Sequence, residues 1–254
     1  NAVCVAQLKS TTSFEQWISL KQVGGAAISP DGKNILYSVT STDWTANNYD
    51  SELWLSRNGE IPFRLTNTTG GSSSNGVFTP NSQWISFTAD RGNKTQIFLI
   101  SIYGGEAFPI TKDDEGVGNY RWSKDGTKIA YTKPETDSKK DKGKKERYGG
   151  FGVEGEEFKV NHLWVLNFSI DSIMNAGLLP CYTKPADSNK VNPSCYTLPK
   201  ATRLTEGSFT VSGFEWSPDS KQIAFTRQPD PLINSGVHAD IAIVNISDKK
   251  VNTV

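Results

Sequence analysis

One short pattern occurs four times along this 254-residue chain, and it limits the possible folds more than any other feature. Its copies are Ile28-Ser29-Pro30-Asp31-Gly32-Lys33, Phe78-Thr79-Pro80-Asn81-Ser82-Gln83, Trp122-Ser123-Lys124-Asp125-Gly126-Thr127 and Trp216-Ser217-Pro218-Asp219-Ser220-Lys221. Proline presets φ for the first corner of a type I turn, Asp or Asn suits the second, and Gly or Ser follows where the backbone turns left-handed. Apolar runs flank each copy, Ile35-Leu36-Tyr37 after the first and Ile223-Ala224-Phe225 after the last, so each unit reads as strand, turn, strand. Blade-like repetition would aim Ile28, Phe78, Trp122 and Trp216 alike, into equivalent buried places.

Two more strands follow each hairpin. The third reads Leu53-Trp54-Leu55, Ile97-Phe98-Leu99, Leu163-Trp164-Val165 and Ile241-Ala242-Ile243; the fourth reads Arg64-Leu65-Thr66, Pro109-Ile110-Thr111 and Arg203-Leu204-Thr205. The step from the fourth strand to the next turn is nearly constant: 15 residues from Leu65 to Pro80, 14 from Ile110 to Lys124 and 14 from Leu204 to Pro218. Four short strands repeating at intervals of 50 and then 44 residues (Pro30, Pro80, Lys124) indicate an all-β fold, a β-propeller of four-stranded antiparallel blades. The interval from Lys124 to Pro218 is 94 residues, and the excess falls in two places. It reads as one blade carrying insertions at 133–161 and 171–199, with residues 1–13 as a tail and 14–254 as about four blades of an incomplete ring. By the same spacing Val254 takes the position of Ile110, so the chain ends within a strand and is expected to be the front part of a longer protein.

Composition agrees with short strands and excludes several functions. There are 12 Phe, 8 Tyr, 7 Trp, 22 Gly and 12 Pro but one Met, a balance that favours strands and turns over long helices. Lys plus Arg and Asp plus Glu number 27 each, so no overall field draws the chain to nucleic acid or to an anionic membrane. No apolar run is long enough to span a bilayer. The small residues Cys4 and Ala6 have the spacing read by a signal peptidase, which points to export, periplasmic or secreted. Cys181 and Cys195, a pair in a polar loop, read as a disulfide consistent with that compartment; two idle thiols are the alternative. His162 and His238 lack metal-ligand spacing, and neither a metal nor a cofactor is expected.

The residues able to carry chemistry are few. There is no G-x-S-x-G run, the small-residue turn that exposes a nucleophilic serine, so no catalytic residue is assigned. His162 next to Leu163-Trp164-Val165 reads as a packed or hydrogen-bonded strand histidine. Residues 134–147 mix six positive with four negative charges and no apolar anchor, the composition of a solvated flexible loop. Tyr148 to Phe158 then interleaves aromatic residues with Glu154, Glu156 and Glu157. Carboxylates beside aromatic walls suit a primary ammonium group; a surface acidic turn is the plain alternative.

The opening Leu20 to Lys33, the run Ala89-Asp90-Arg91-Gly92 through Gln96-Ile97-Phe98, the Gly104-Gly105-Glu106-Ala107 that follows, and the Glu-Glu-Phe stretch leading to His162-Leu163-Trp164-Val165 together resemble the N-terminal propeller of the prolyl oligopeptidase family of serine peptidases. Within that family the likeness is to the dipeptidyl-peptidase and acylaminoacyl-peptidase branch. The resemblance implies that the propeller filters access to a C-terminal α/β-hydrolase domain, which carries the triad and is absent from this chain. It implies a peptide substrate, removal of dipeptides or acylated residues from N-termini, and an acidic pair on a propeller excursion that holds the substrate's free N-terminus, a part Glu156 and Glu157 would take by type and placement. A TolB-like periplasmic adaptor that binds partner proteins, and a sugar- or polymer-binding propeller, are the competing readings; homo-oligomer formation stays open.

Overall fold

The structure, a computed structural model, describes residues 11–68, 71–92, 94–137, 139–150, 158–168, 170, 179–180, 195–196, 198 and 200–254. Their main elements are four antiparallel sheets of four strands. The first holds β1 (Gln22–Ile28), β2 (Asn34–Asp43), β3 (Asn48–Arg57) and β4 (Phe63–Arg64); the second β5 (Ser73–Phe78), β6 (Trp84–Ala89), β7 (Gln96–Ser101) and β8 (Phe108–Pro109). The third begins with β9 (Tyr120–Trp122), β10 (Lys128–Pro134) and β11 (Asn161–Asn167). After the small parallel pair β12 (Leu179–Pro180) and β13 (Cys195–Tyr196), β14 (Thr202–Arg203) adds the fourth strand of this sheet beside β11. The fourth sheet is β15 (Thr210–Trp216), β16 (Gln222–Gln228), β17 (Asp240–Asn245) and β18 (Val251–Thr253).

The recurrent turn is a hydrogen-bonded lock. The hydroxyls of Ser29, Thr79, Ser123 and Ser217 donate to the side-chain oxygens of Asp31, Asn81, Asp125 and Asp219 at 2.5, 2.7, 2.6 and 2.6 Å. Each same hydroxyl accepts the amide of the residue that opens the second strand, Asn34, Trp84, Lys128 or Gln222, at 2.9 to 3.2 Å. The hydroxyl bond is the chief reason that the Asp31 and Asp219 carboxyls lie below the usual carboxylate range and that Asp125 falls to about 2.

Gly32 and Gly126 take the left-handed corner at φ 74° and 70°, whereas Ser82 and Ser220 take it at 60° and 59°. The serines cost more there, and the compensation is visible: Ser82 Oγ accepts the Asp31 amide and Ser220 Oγ the Asp125 amide, each at 3.1 Å. The second turn is thereby tied to the first and the fourth to the third.

No sheet has a core of its own. Leu36, Leu53 and Leu55 of the first pack against Phe78, Ile85 and Phe87 of the second. Ile97, Leu99 and Ile110 of the second meet Tyr120, Trp122 and Ile129 of the third, and Leu163, Val165 and Leu204 of the third meet Phe214, Trp216 and Ile223 of the fourth. The approach is close enough that a Cβ on Gly76 would lie 2.8 Å from Leu36 Cδ2. The indole of Trp122 donates to Ser86 Oγ at 2.9 Å, so the interface is pinned as well as greasy.

Phe78, Trp122 and Trp216 are buried as expected, but Ile28 is 69% exposed. The turn aims Ile28 correctly; among the described residues no sheet packs on that face, so Ile28 and its neighbour Ile35 stand in solvent while Ile85, Ile129 and Ile223 are fully covered. The free face of the fourth sheet is the counterpart, with Ile241 57% exposed where Leu53, Ile97 and Leu163 are buried. The Val254 amide bonds Ile241 O at 3.0 Å as Ile110 bonds Ile97 O at 2.8 Å, which is the expected equivalence.

A second correction concerns the charged insertion. Lys139–Tyr148 is a helix, α2, following the short α1 (Phe14–Ile18), and not a loop. Lys, Glu and Arg are good helix formers, and Asp141 in the first turn with Lys145 and Arg147 in the last suits the helix dipole. Its side chains from Asp141 onward are exposed, so the solvated half of the expectation holds.

Replacing Ser82 by Ala is expected to lower stability by about 0.5–1.5 kcal/mol through the lost turn-to-turn bond. Ser82→Gly loses the same bond but relieves the left-handed corner, by roughly 1 kcal/mol, and should lie near wild type in urea unfolding. An Ala variant as stable as wild type would show that the bond between turns does nothing.

Candidate functional site

In an antiparallel meander the first-to-second and third-to-fourth connections lie at one rim, and the second-to-third and sheet-to-sheet connections at the other. The arm between β10 and β11 therefore shares its rim with the linker from the second sheet to the third, residues 110–119. Charges fix the root of the arm to that linker. Lys159 Nζ lies 2.9 Å from Glu115 Oε2 and 3.0 Å from Asp137 Oδ1, while Lys145 of α2 reaches Asp137 Oδ2 at 2.9 Å. The Glu135 amide bonds Val160 O at 2.9 Å, so the two legs also pair through backbone. The bond from Lys145, then that from Lys159, holds the Asp137 carboxyl near 2, and Glu115 is the first cause of the raised Lys159.

Below this clamp sits His162, which is buried, as a strand histidine was expected to be. Its Nδ1 is 3.2 Å from Thr205 Oγ1, and its ring stands edge-on to Phe209 at 5.3 Å between centroids. Equivalent positions explain the contact. In the first sheet Thr66 donates to Glu52, and in the second Thr111 donates to Gln96 Oε1 at 2.8 Å. In all three sheets the same threonine also accepts the next amide of the third strand, Leu53, Ile97 or Leu163. With the Thr205 hydroxyl as donor, Nδ1 is the acceptor and the proton of neutral His162 is on Nε2. That atom lies 3.3 Å from Glu135 Oε1 without a well-directed hydrogen bond, and Glu135 is held in turn by Arg203 at 2.6 Å.

This threonine ladder was not read from the sequence, although its trace is there: Leu-Thr or Ile-Thr at 65–66, 110–111 and 204–205, always opposite the polar residue just before the apolar run of the third strand. The proposed ammonium ligands Glu154, Glu156 and Glu157 lie outside the described residues, as does Cys181; Cys195 begins β13, but its side chain lies outside them. His238 ends an exposed 3₁₀ turn, Ile233–His238, far in sequence from the arm. Among the described residues no group of three or more His, Cys, Asp or Glu could hold a metal ion, and no helix is long and apolar enough to cross a membrane.

The chain is similar to the acylaminoacyl peptidase of Pyrococcus horikoshii, with a TM-score of 0.57 and 10% identity over 94% of this chain and 33% of that one. It is similar also to TolB of Acinetobacter baumannii, with a TM-score of 0.53 and 16% identity over 92% of this chain and 43% of the other. The sheets are β-propeller blades. In sequence, 161 residues are 25% identical to the uncharacterised peptidase YuxL of Bacillus subtilis strain 168, over 60% of this chain. The match spans 24% of that relative's length. No protein-family model matches the chain. The likeness to peptidases thus stands on both fold and sequence.

Burial is the main reason that the His162 pKa lies below its ordinary value, with the Arg203 charge adding and Glu135 opposing. The unfolded chain then binds a proton that the folded one resists, so this stability is complete above about pH 6.5 and is lost as pH falls below it. His162→Gln, which copies Gln96, is expected to flatten the fall in Tm between pH 7.5 and pH 5, values chosen to lie roughly a unit or more either side of an ordinary histidine. A variant with the same slope as wild type would remove His162 from the account.

Proposed function

We propose that this chain is the substrate-gating propeller of a serine exopeptidase of the prolyl oligopeptidase type, which removes dipeptides or acylated residues from peptide N-termini. The supporting observation is the arm. It leaves the rim of a peptidase-like propeller, its two legs are pinned by Lys159 and Asp137, and it carries a run of acidic and aromatic residues. On this reading the triad belongs to an α/β-hydrolase domain elsewhere in the parent protein, and Glu154, Glu156 and Glu157 receive the ammonium group of the substrate. An exopeptidase must locate the chain end, and a fixed carboxylate facing a primary amine does so with a charge-assisted hydrogen bond.

Export belongs to the same reading, with Cys181 and Cys195 joined outside the reducing cytoplasm. Intact-mass measurement without reductant is expected to find the protein two hydrogens lighter than its dithiol form; two free thiols would overturn the pairing.

The deciding test is kinetic. In the full-length parent, Glu156→Gln with Glu157→Gln is expected to lower kcat/KM by roughly ten- to hundredfold for free-amine peptides, the scale of a lost charged hydrogen bond, and much less for N-acylated ones. Small and equal effects on both classes would return the arm to a solvated acidic turn. The likeness to TolB supports a second reading, a non-enzymatic adaptor, and a parent that turns over neither substrate class would favour it.

A further inference from the structure

Two of the motifs that carry the family resemblance, the Asp-Arg-Gly of residues 90–92 and the Gly-Gly-Glu-Ala of residues 104–107, are not used by the arm, yet they converge. Both line a cleft of about 480 Å³ between the outer edges of the first and second sheets, with Thr66, Asn67 and Thr68 on the facing wall. The volume falls within the range of small-molecule sites, roughly 300–1,000 Å³.

The charges of this cleft are unspent, and one of them is held in place. The Arg91 guanidinium lies 4.7 Å from the ring of Phe98 and 5.7 Å from that of Phe87, and donates to Thr68 Oγ1 at 3.3 Å. It is held in place by these contacts, while among the described residues no carboxylate lies within ion-pairing distance of it. Glu106 likewise has neither a hydrogen bond nor an ion pair among the described residues. Asn67, also in the lining, has no side-chain hydrogen bond among the described residues.

The spacing of the two charges selects the ligand. Arg91 reaches back to the level of Phe98, and Glu106 lies two residues before Phe108, the partner of Leu99. The groups are therefore offset by about two to three residues along β7, on the order of 7–10 Å at ~3.3 Å per residue. A Cβ on Gly92 would meet nothing within 4 Å, so the cleft is open at its Arg91 end.

We propose that this cleft binds a small zwitterion of dipeptide size, its carboxylate on Arg91 and its ammonium on Glu106. A lone anion would leave Glu106 opposed to it, and a lone cation would face Arg91; a molecule with one charge at each end satisfies both. A free amino acid has the same chemistry but a shorter span. The site is distinct from the arm, and its occupancy does not depend on the arm's role.

The test is isothermal titration of the intact protein that contains this chain with glycyl-leucine, N-acetyl-glycyl-leucine, glycyl-leucinamide and leucine. Binding of glycyl-leucine that weakens by about ten- to hundredfold on capping either end is expected, with leucine weaker than the dipeptide. Glu106→Gln should abolish the preference for a free amine and Arg91→Gln that for a free carboxylate, each without touching a residue of the arm. Since Arg91 also packs on Phe98, Arg91→Lys serves as a second variant that keeps the charge but gives up the stacked planar fork, and its affinity should fall between those of wild type and Arg91→Gln. Glu156→Gln with Glu157→Gln should leave this titration unchanged even where it alters turnover. Absence of dipeptide binding, binding indifferent to the caps, or loss of binding in the arm variant and not in Glu106→Gln would each overturn the proposal.

Discussion

Every sheet in this molecule depends on its neighbour for a hydrophobic core. A strand such as Ile85-Ser86-Phe87 is covered on one face by the sheet before it and on the other by the sheet after it, so stability accrues interface by interface. What makes the stacking accurate is the hydroxyl-to-carboxylate lock at each turn, which fixes where the first strand ends and the second begins. Since the turn lock sets the register of Ile28-Ile35, Phe78-Ile85, Trp122-Ile129 and Trp216-Ile223 pairs, it also sets which side chains reach the next sheet.

The turns were legible because proline, aspartate and glycine have local conformational reasons for their places. The register between sheets was not, because it rests on atoms far apart in sequence. Gly and Ser at the fourth turn position look interchangeable when each turn is read alone. Only the packed structure shows that Ser82 and Ser220 reach back to the preceding turn while Gly32 and Gly126 do not. Ile28 teaches the same lesson from the other side: periodicity says which way a side chain points and nothing about whether a partner sheet is there to meet it. The helix α2 was missed for a different reason, since a run of lysines without an apolar face gives no periodic signal even where each residue favours helix.

The candidate site divides along the same line. The acidic run 154–157 stands out by composition, because carboxylates next to aromatic residues are conspicuous in a string. The clamp at its root is invisible there, since Glu115, Asp137 and Lys159 are separated by 22 residues each and each resembles an ordinary surface charge. Exposed ion pairs of this kind contribute little to global stability. Their effect is directional: Lys159 bonds both Glu115 and Asp137, and a cation held by two carboxylates on different segments restricts the angle at which the arm leaves the rim. Salt should loosen it through screening while leaving the apolar interfaces intact.

His162 joins the two levels of organisation. It occupies the ladder position filled by Glu52 and Gln96, where the repeat requires an acceptor for a threonine hydroxyl, and it stands at the foot of the arm, where Glu135 and Arg203 meet. Glu52 and Gln96 fill that place with a side-chain oxygen. Neutral His162 accepts the hydroxyl at Nδ1; a protonated ring has two N–H donors and would turn the contact round, with Thr205 Oγ1 accepting both Nδ1–H and the Leu163 amide on its two lone pairs. Protonation would thus reverse the ladder contact and take the acceptor from the Thr205 hydroxyl proton, while it strengthened the attraction between Nε2 and Glu135. The third sheet therefore carries a rung whose donor and acceptor exchange when the imidazole is protonated, and it lies directly beneath the segment that leaves the propeller.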